Sequence, residues 1–510
     1  MRSRYQVGAG CSGSGTGDYR WRFINFIKII SPGFPTPPFP HTRHSHHRTT
    51  PNKTMLESSK SSTSPPLELS SNNIPHSSLS PLLWYIHGLP YDLNTWADVH
   101  PGGRHLLDAS RGTDCTALFE SYHAASLQSQ HIRTTMQKYQ VHDAPPGPPT
   151  LRNWSHTPVY DDMKRVVRAY RRLNGIKATD DWSMVVWFVA AGILHCVTLA
   201  RWLAGIGGWC NSIGLGLGVW YFCGSALHDG THYALTHDVQ TSEWIGWLGG
   251  WMFCMPNVWL RQHVTQHHVH TNDAVLDPDL HHFQKFFRID PRQPPSQPGT
   301  KQWRCSKSIF RYAIPLFAQF HPWLILTFKL WFLSIWREKP VTWVHDRERM
   351  QIALANFACV ALVCCAVYVN GMILTIIPFA VVGVLFYLFS QVSHVNTASF
   401  EKPTSEEWAV HQIYAAQGDY AYKSNLWCRL SLGLNNQTLH HCFPNVHPCH
   451  YPKLSVLIKP LFLKHQIPRS GWKQTYLDSL QLHCEHLDSL NVHLNPKGVV
   501  RGVRLEKEEE

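Results

Sequence analysis

His263-Val264-Thr265-Gln266-His267-His268 (HVTQHH) is the stretch on which the reading of this chain turns. His263 and His267 stand at i,i+4, so an α-helix puts both on one face, and His268 lies about 100° further round, where it can serve a second metal. Two other stretches repeat the pattern. His228-Asp229-Gly230-Thr231-His232 carries the same i,i+4 pair, and Gln437-Thr438-Leu439-His440-His441 ends in an adjacent pair before a Phe-Pro-Asn turn. A lone histidine is more often a hydrogen-bonded or snorkelling side chain than a ligand, but three spaced clusters overturn that expectation. Neutral imidazoles in such numbers suit iron, zinc, copper or nickel.

Histidine is abundant throughout, with 34 against 34 Asp plus Glu and 46 Lys plus Arg in 510 residues. That length exceeds what one hydrophobic core serves, so two or more domains are expected. The formal charge of +12 comes without a long basic block or a recognition-helix pattern, which points to a membrane surface and away from nucleic acid. The 14 cysteines fall largely in apolar runs without a CxxC pair and read as reduced, buried small hydrophobes.

The mean hydropathy of −0.22 averages polar ends with an apolar middle. Residues 1–80, rich in Ser, Thr, Pro and His, read as a disordered extension. Within it Trp21 to Ile30 is too short to span a membrane, so it is an interfacial or targeting segment or simply unstructured; His41 to His47 reads as adventitious, and Met55 is a second candidate start. A spanning helix needs about 20 apolar residues, and the runs 184–204, 209–227, 352–369 and 372–392 come close. The runs 244–260 and 309–336 suit an interfacial or re-entrant position better. Four spans put both termini and all three histidine clusters on one side of the membrane, where the clusters can meet.

Ahead of the apolar runs lies WYIHGLPYDLNTWADVHPGG, Trp84 to Gly103, in which His100 stands before a Pro-Gly-Gly turn. His123, in LFESYHAA, follows 23 residues later, enough chain for helices that cup a planar macrocycle between two axial imidazoles. Two such ligands leave the haem iron no open position, which suits electron transfer. Ala144 to Pro149 (APPGPP) then breaks regular structure. A one-electron donor is useless to redox-silent zinc, so the haem segment favours a redox-active metal in the histidine clusters.

Trp84, Ile86, Gly88, Tyr91, Asp92, Trp96 and His100-Pro101-Gly102-Gly103 resemble the cytochrome b5 family signature, whose haem ligand pair carries over to His100 and His123. HDGTH, HVTQHH and QTLHH resemble the three histidine boxes of membrane fatty-acid desaturases. Gln437 at the head of the third box is similar to the front-end desaturases, and fused sphingolipid desaturases share it. The resemblance implies a small α+β cytochrome b5-like haem domain over residues 82–142, a linker over 143–180, an all-α membrane desaturase domain over 181–465 with about four transmembrane helices and a cytosolic histidine-box cap, and a C-terminal cytosolic segment over 466–510.

It further implies haem b, and two iron ions held by His228, His232, His263, His267, His268, His440 and His441. O2, an acyl lipid carried on CoA or phospholipid, and an NADH-dependent cytochrome b5 reductase complete the partners. The membrane implied is the endoplasmic reticulum, with termini and active site cytosolic. The activity is insertion of a double bond into a polyunsaturated acyl chain; a sphingoid-base desaturase and a lipid hydroxylase on the same scaffold stay open. A histidine-rich metal transporter would need ligands inside the membrane rather than at span ends.

His394, after the last run, either completes the iron site or is structural, and Gln437 is either a weak ligand or a hydrogen-bond donor. Asp229 is expected to orient His228 or His232. His237, His270, His281, His282, His447 and His450 read as structural, while Asn272, Asp273 and Asp277-Pro278-Asp279 are similar to family context. Thr438-Leu439 and Thr231-His232-Tyr233 depart from the commonest box residues and leave the position of the double bond open.

Overall fold

The computed structural model describes residue 80 and residues 82–501, apart from 81, 125–129, 148–149, 151, 251, 255, 275, 281–288, 293–345, 469–474, 491–492 and 495–499. The extension to residue 79, with Trp21 to Ile30, His41 to His47 and Met55, lies outside those residues, as do His281, His282 and the run 309–336.

β1 (Trp84–Ile86) and β2 (Leu89–Tyr91) pair antiparallel, with Trp84 opposite Tyr91. Three short helices follow, α1 (His105–Ser110), α2 (Thr116–Tyr122) and α3 (Gln130–Tyr139). Trp84, Ile86, Tyr91, Leu93 and Cys115 form their core, and the Trp84 indole satisfies its N–H on the Leu107 carbonyl at 2.7 Å. Leu106, Ala109 and Leu118 face the other way and pack with Tyr233, Leu260 and Val264 of the larger domain. The haem-domain helices are therefore docked against the histidine-box region.

The expected linker contains a packed helix, α4 (Pro158–Asn174), with proline in its first turn and Gly175 at φ 72° after its last residue. Val159, Met163, Val166, Val167 and Tyr170 recur at helical spacing and are buried. The buried Glu407 carboxylate accepts from the Tyr160 amide at 2.7 Å, satisfying one orphan donor of the first turn. The Tyr160 hydroxyl donates to the Cys442 carbonyl at 2.9 Å, which fastens α4 beside the third histidine box.

α5 (Trp182–Leu203) starts at Asp181, whose side chain accepts from the Ser183 amide at 2.9 Å. Among the described residues two helices are long and apolar enough to cross a membrane, Trp182–Leu203 and Phe357–His394, and only 17% and 33% of their most apolar windows are buried. Their outward surface is apolar, with Val186, Val189, Ile193 and Val197 exposed on the first. The second is broken at Gly371, whose φ of 75° and ψ of 165° no helix accommodates, so Asp346–Phe386 is two helices joined at a turn. Asn370 closes that turn onto the first helix by donating to the Trp202 carbonyl at 2.7 Å. The 209–227 run is divided into α6 (Gly208–Gly218), a π-helical turn at Val219–Gly224, and α7 (Ser225–Thr231).

Among the described residues two more π-helical turns occur, at Leu260–His267 and Tyr387–Gln391. All three lead into or contain box-region histidines, in keeping with the use of π turns to re-aim side chains at functional sites. Gly230 lets α7 approach α8 (Val239–Gly250) closely: a Cβ there would lie 2.8 Å from both the Gly246 Cα and the Ser242 carbonyl. The core between the long helices is built on Trp202, Leu215, Trp220, Phe253, Phe379 and Tyr420. Cys115, Cys223, Cys428 and Cys442 are buried as free thiols, but Cys196, Cys210, Cys364 and Cys365 are exposed, against the expectation of burial. All four lie in or beside the apolar helices, whose surfaces are themselves exposed. The C-terminal helix, α9 (Tyr476–Ser489), is fixed by His483 to the Tyr387 hydroxyl at 2.6 Å and by His486 to the Ile289 carbonyl at 2.8 Å.

Candidate metal centre

The Nε2 atoms of His228, His440, His268 and His263 stand in a chain at 3.1, 3.0 and 3.2 Å. Ring nitrogens gathered this closely repel once protonated and share a donor poorly when neutral, and a cation at their centre satisfies all of them. The ligand atoms of His228, His232, His263 and His440 lie within 4.8 Å of one another, and those of His267, His394 and His441 make a second such group. The His268 ring lies between the groups, 4.5 Å from His440 and 4.3 Å from His441 by centroids. The structure thus brings together all seven box histidines and His394.

Most of these rings are held from behind through Nδ1. Asp229 accepts from His228 at 2.8 Å, Asp277 from His267 at 3.0 Å, and the Ala415 carbonyl from His394 at 3.1 Å. His441 Nδ1 meets the Thr271 hydroxyl at 3.0 Å, and His232 Nδ1 meets the Tyr122 hydroxyl at 2.8 Å. Such outer partners fix the tautomer and leave Nε2 to face a metal. Nε2 of His232 and of His441, with Oε1 of Gln437, are buried without a partner, which in a folded protein signals a missing ligand. The donor set fits a pair of imidazole-loving transition-metal ions.

Burial keeps the imidazoles neutral. It pushes His232, His268, His440 and His441 well below the usual histidine range and His263 to about 3. His267 is the exception: burial opposes its charge, but Asp277 and Asp279 outweigh that and raise it to about 9.

The geometry of the second box differs from the α-helical expectation. Because Leu260–His267 is π-helical, His263 meets His268 at i,i+5, with rings 4.7 Å apart, more closely than His267, at 5.4 Å. His447, read as structural, reaches the Asp229 carboxylate at 3.3 Å and so backs His228 at one remove. His237 is exposed and paired with Asp180, and His450 bridges Tyr170 and the Lys177 carbonyl. Thr271, Gln412 and Tyr122 were not legible as site residues. Asp277, ten residues past His267, carried a signal only as an acidic pair in family context.

In the small domain the His100 and His123 rings face each other at 6.3 Å. Nδ1 of each donates to a nearby carbonyl, Gly103 at 2.8 Å and Phe119 at 2.9 Å, so Nε2 is the nitrogen each ring offers to a metal between them. The residues present fit a bis-histidine haem.

A pocket adjoins the histidines. Trp220, Phe253, Phe386, Leu432 and Leu434 share its wall with His228, His263, His267, His394 and Gln437. An apolar wall ending on a few convergent polar groups is the make-up of a small-molecule site.

The family profile described as "Fatty acid desaturase" matches residues 202–472, and that described as "Cytochrome b5-like Heme/Steroid binding domain" matches residues 67–144. The chain is similar to the acyl-lipid omega-13 desaturase of Chlamydomonas reinhardtii, 25% identical over 78% of this chain and 90% of that protein. It is also similar to the acyl-lipid (8-3)-desaturase of Mortierella alpina, 27% identical over 83% and 96%, and to Delta(5) fatty acid desaturase A of Dictyostelium discoideum, 26% identical over 79% and 89%. No solved structure gives a significant match. With the desaturase profile covering more than half of the 510 residues, the chain belongs to the fatty acid desaturase family, as an oxygen-dependent oxidoreductase with a cytochrome b5-like domain fused ahead of its histidine boxes.

Proposed function

We propose that the chain is a front-end acyl-lipid desaturase, placing a new double bond in an already unsaturated acyl chain with electrons drawn through its own haem domain. The observation that carries this is the junction of two histidine groups with a largely apolar pocket. The names of the (8-3) and Delta(5) relatives and Gln437 in the third box support the front-end assignment.

In this reading His228, His232, His263, His268 and His440 hold one iron, and His267, His394 and His441 the other, with Gln437 beside them. His100 and His123 hold haem b. When bound, the haem supplies single electrons and the iron pair the reactivity toward O2 that removes two hydrogens from adjacent methylenes. Asp229, Asp277 and Thr271 keep the imidazoles in the ligating tautomer. The aromatic wall of the cavity excludes water and holds the acyl chain at one register against the histidines, which sets the bond attacked.

The same reading gives about four membrane spans, counting the divided run up to Thr231 and the two helices either side of Gly371. Both termini and the histidine cap then lie on the cytosolic face of the endoplasmic reticulum, within reach of an NADH-dependent cytochrome b5 reductase. The substrate is an acyl-CoA or a phospholipid-linked chain.

Expression in a host lacking polyunsaturated lipids, fed a panel of acyl chains and followed by mass spectrometry, tests this. A new double bond between an existing one and the carboxyl end is expected, and His441→Ala abolishes it. Unaltered acyl chains beside desaturated sphingoid bases would move the substrate to sphingolipids, and a hydroxylated product would replace desaturation by hydroxylation.

A further inference from the structure

Tyr122 immediately precedes His123, yet its hydroxyl does not serve the haem domain. It crosses to the larger domain and lies 2.8 Å from Nδ1 of His232, the rings nearly parallel at 20°. His232 Nε2 is the buried, partnerless nitrogen turned in among the first histidine group. The Tyr122 carbonyl accepts from the Asn445 side chain at 2.8 Å, and Asn445 follows the third box by four residues. Leu106 and Leu118 pack on Tyr233, Leu260 and Val264 beside this contact, and Tyr122 lies against the same cluster. Nothing in haem binding requires a hydroxyl at 122; among the described residues its polar partner is across the domain boundary.

We infer that Tyr122 is a coupling residue that joins the haem ligand His123 to the iron ligand His232 and sets the electron route between the two centres. The inference rests on the ligand assignments proposed above. Electron transfer falls steeply with each through-space gap. The path from the His123 ring along one peptide unit, through the Tyr122 ring and over one hydrogen bond to His232 contains no gap wider than that bond. Each passage would move one electron from a ferrous haem held by His100 and His123, leaving it ferric, to a ferric ion held by His232, leaving that ion ferrous. No covalent bond in the chain is made or broken, and the proton of the Tyr122–His232 contact stays within it. The same bond orients His232, so haem docking and iron-site geometry are set by one side chain.

The test uses the full-length holoprotein in detergent, its haem reduced by NADH and a cytochrome b5 reductase and then mixed with O2 and lipid substrate. Reoxidation of the haem is followed by its visible absorption. Tyr122→Phe, which removes the hydroxyl alone, is expected to slow reoxidation about ten- to a hundredfold, the scale of losing an outer partner of a ligating histidine. Haem content, iron content and the rate of haem reduction stay at wild-type values, and the Mössbauer spectrum changes at one of the two irons. Reoxidation at the wild-type rate overturns the inference. Should Tyr122→Phe lose either cofactor, 3-fluorotyrosine at position 122 decides, because it keeps the ring and the hydroxyl and alters only the strength of the hydrogen bond to His232: a changed reoxidation rate supports the route, and an unchanged rate overturns it. A wild-type haem that never reoxidises with iron and lipid present tells against the desaturase reading itself.

Discussion

Asp277 accepts a hydrogen bond from Nδ1 of His267 at 3.0 Å, and both side chains are buried. The carboxylate also accepts from the Asn272 amide at 2.7 Å, so it is rigidly placed behind the ring. Asp277→Asn keeps the shape and removes the charge that makes His267 a strong ligand. Iron per chain and product formation are expected to fall about ten- to a hundredfold, while the haem absorption is unchanged. Metal analysis beside the haem spectrum checks this.

The same pair makes metal loading depend on pH. His267 in the metal-free chain has its pKa raised to about 9, so below that pH a proton must leave before the ring can ligate. Affinity for a divalent metal is therefore expected to rise with pH, by about tenfold per unit for one displaced proton, and to level off near pH 9. Titrations of metal-free protein with Co(II) between neutral and alkaline pH measure the slope, and Asp277→Asn moves the plateau to lower pH.

Gly230 sits inside the first box at the contact of α7 and α8. A methyl group there meets the α8 backbone at 2.8 Å, at the Gly246 Cα and the Ser242 carbonyl, and backbone cannot swing away as a flexible side chain can. Gly230→Ala is expected to cost about 1–3 kcal/mol of stability and to displace His228 and His232. Thermal unfolding in detergent with iron analysis reads both effects.

Gly224 lines the cavity, and a Cβ there would lie 3.0 Å from Leu432 and 3.4 Å from Phe253, both cavity walls. Gly224→Val fills that space. Conversion of the longest acyl chains in a mixed feed is expected to drop several-fold relative to the shortest, with iron content retained. Equal loss across all lengths would show that the cavity is not the acyl site.

Much of this was legible because ligand chemistry leaves its mark on local spacing. The i,i+4 pair of His228 and His232, the paired His440–His441 and the Pro-Gly-Gly after His100 are short-range patterns whose meaning depends on few residues. The second box was legible as a cluster but not as a geometry, since a π turn has no distinct sequence signature and is held by packing around it. The polar stretch after APPGPP is compatible with a helix, but its packing was not legible, because α4 is pinned by Glu407 and Cys442, both more than 240 residues away in sequence.

The Pro-Gly-Gly turn after His100 with His123 beyond it, the apolar runs and the three histidine clusters pointed by themselves to a haem segment ahead of a metal-binding helical domain. Those properties follow from side-chain chemistry and near-neighbour spacing, which the backbone cannot undo. Which rings share a metal, which acid backs which histidine, and that Tyr122 reaches from the haem ligand to His232 were decided only in three dimensions. These are contacts between segments 10 to more than 200 residues apart, and they exist only once burial has closed the domains on each other.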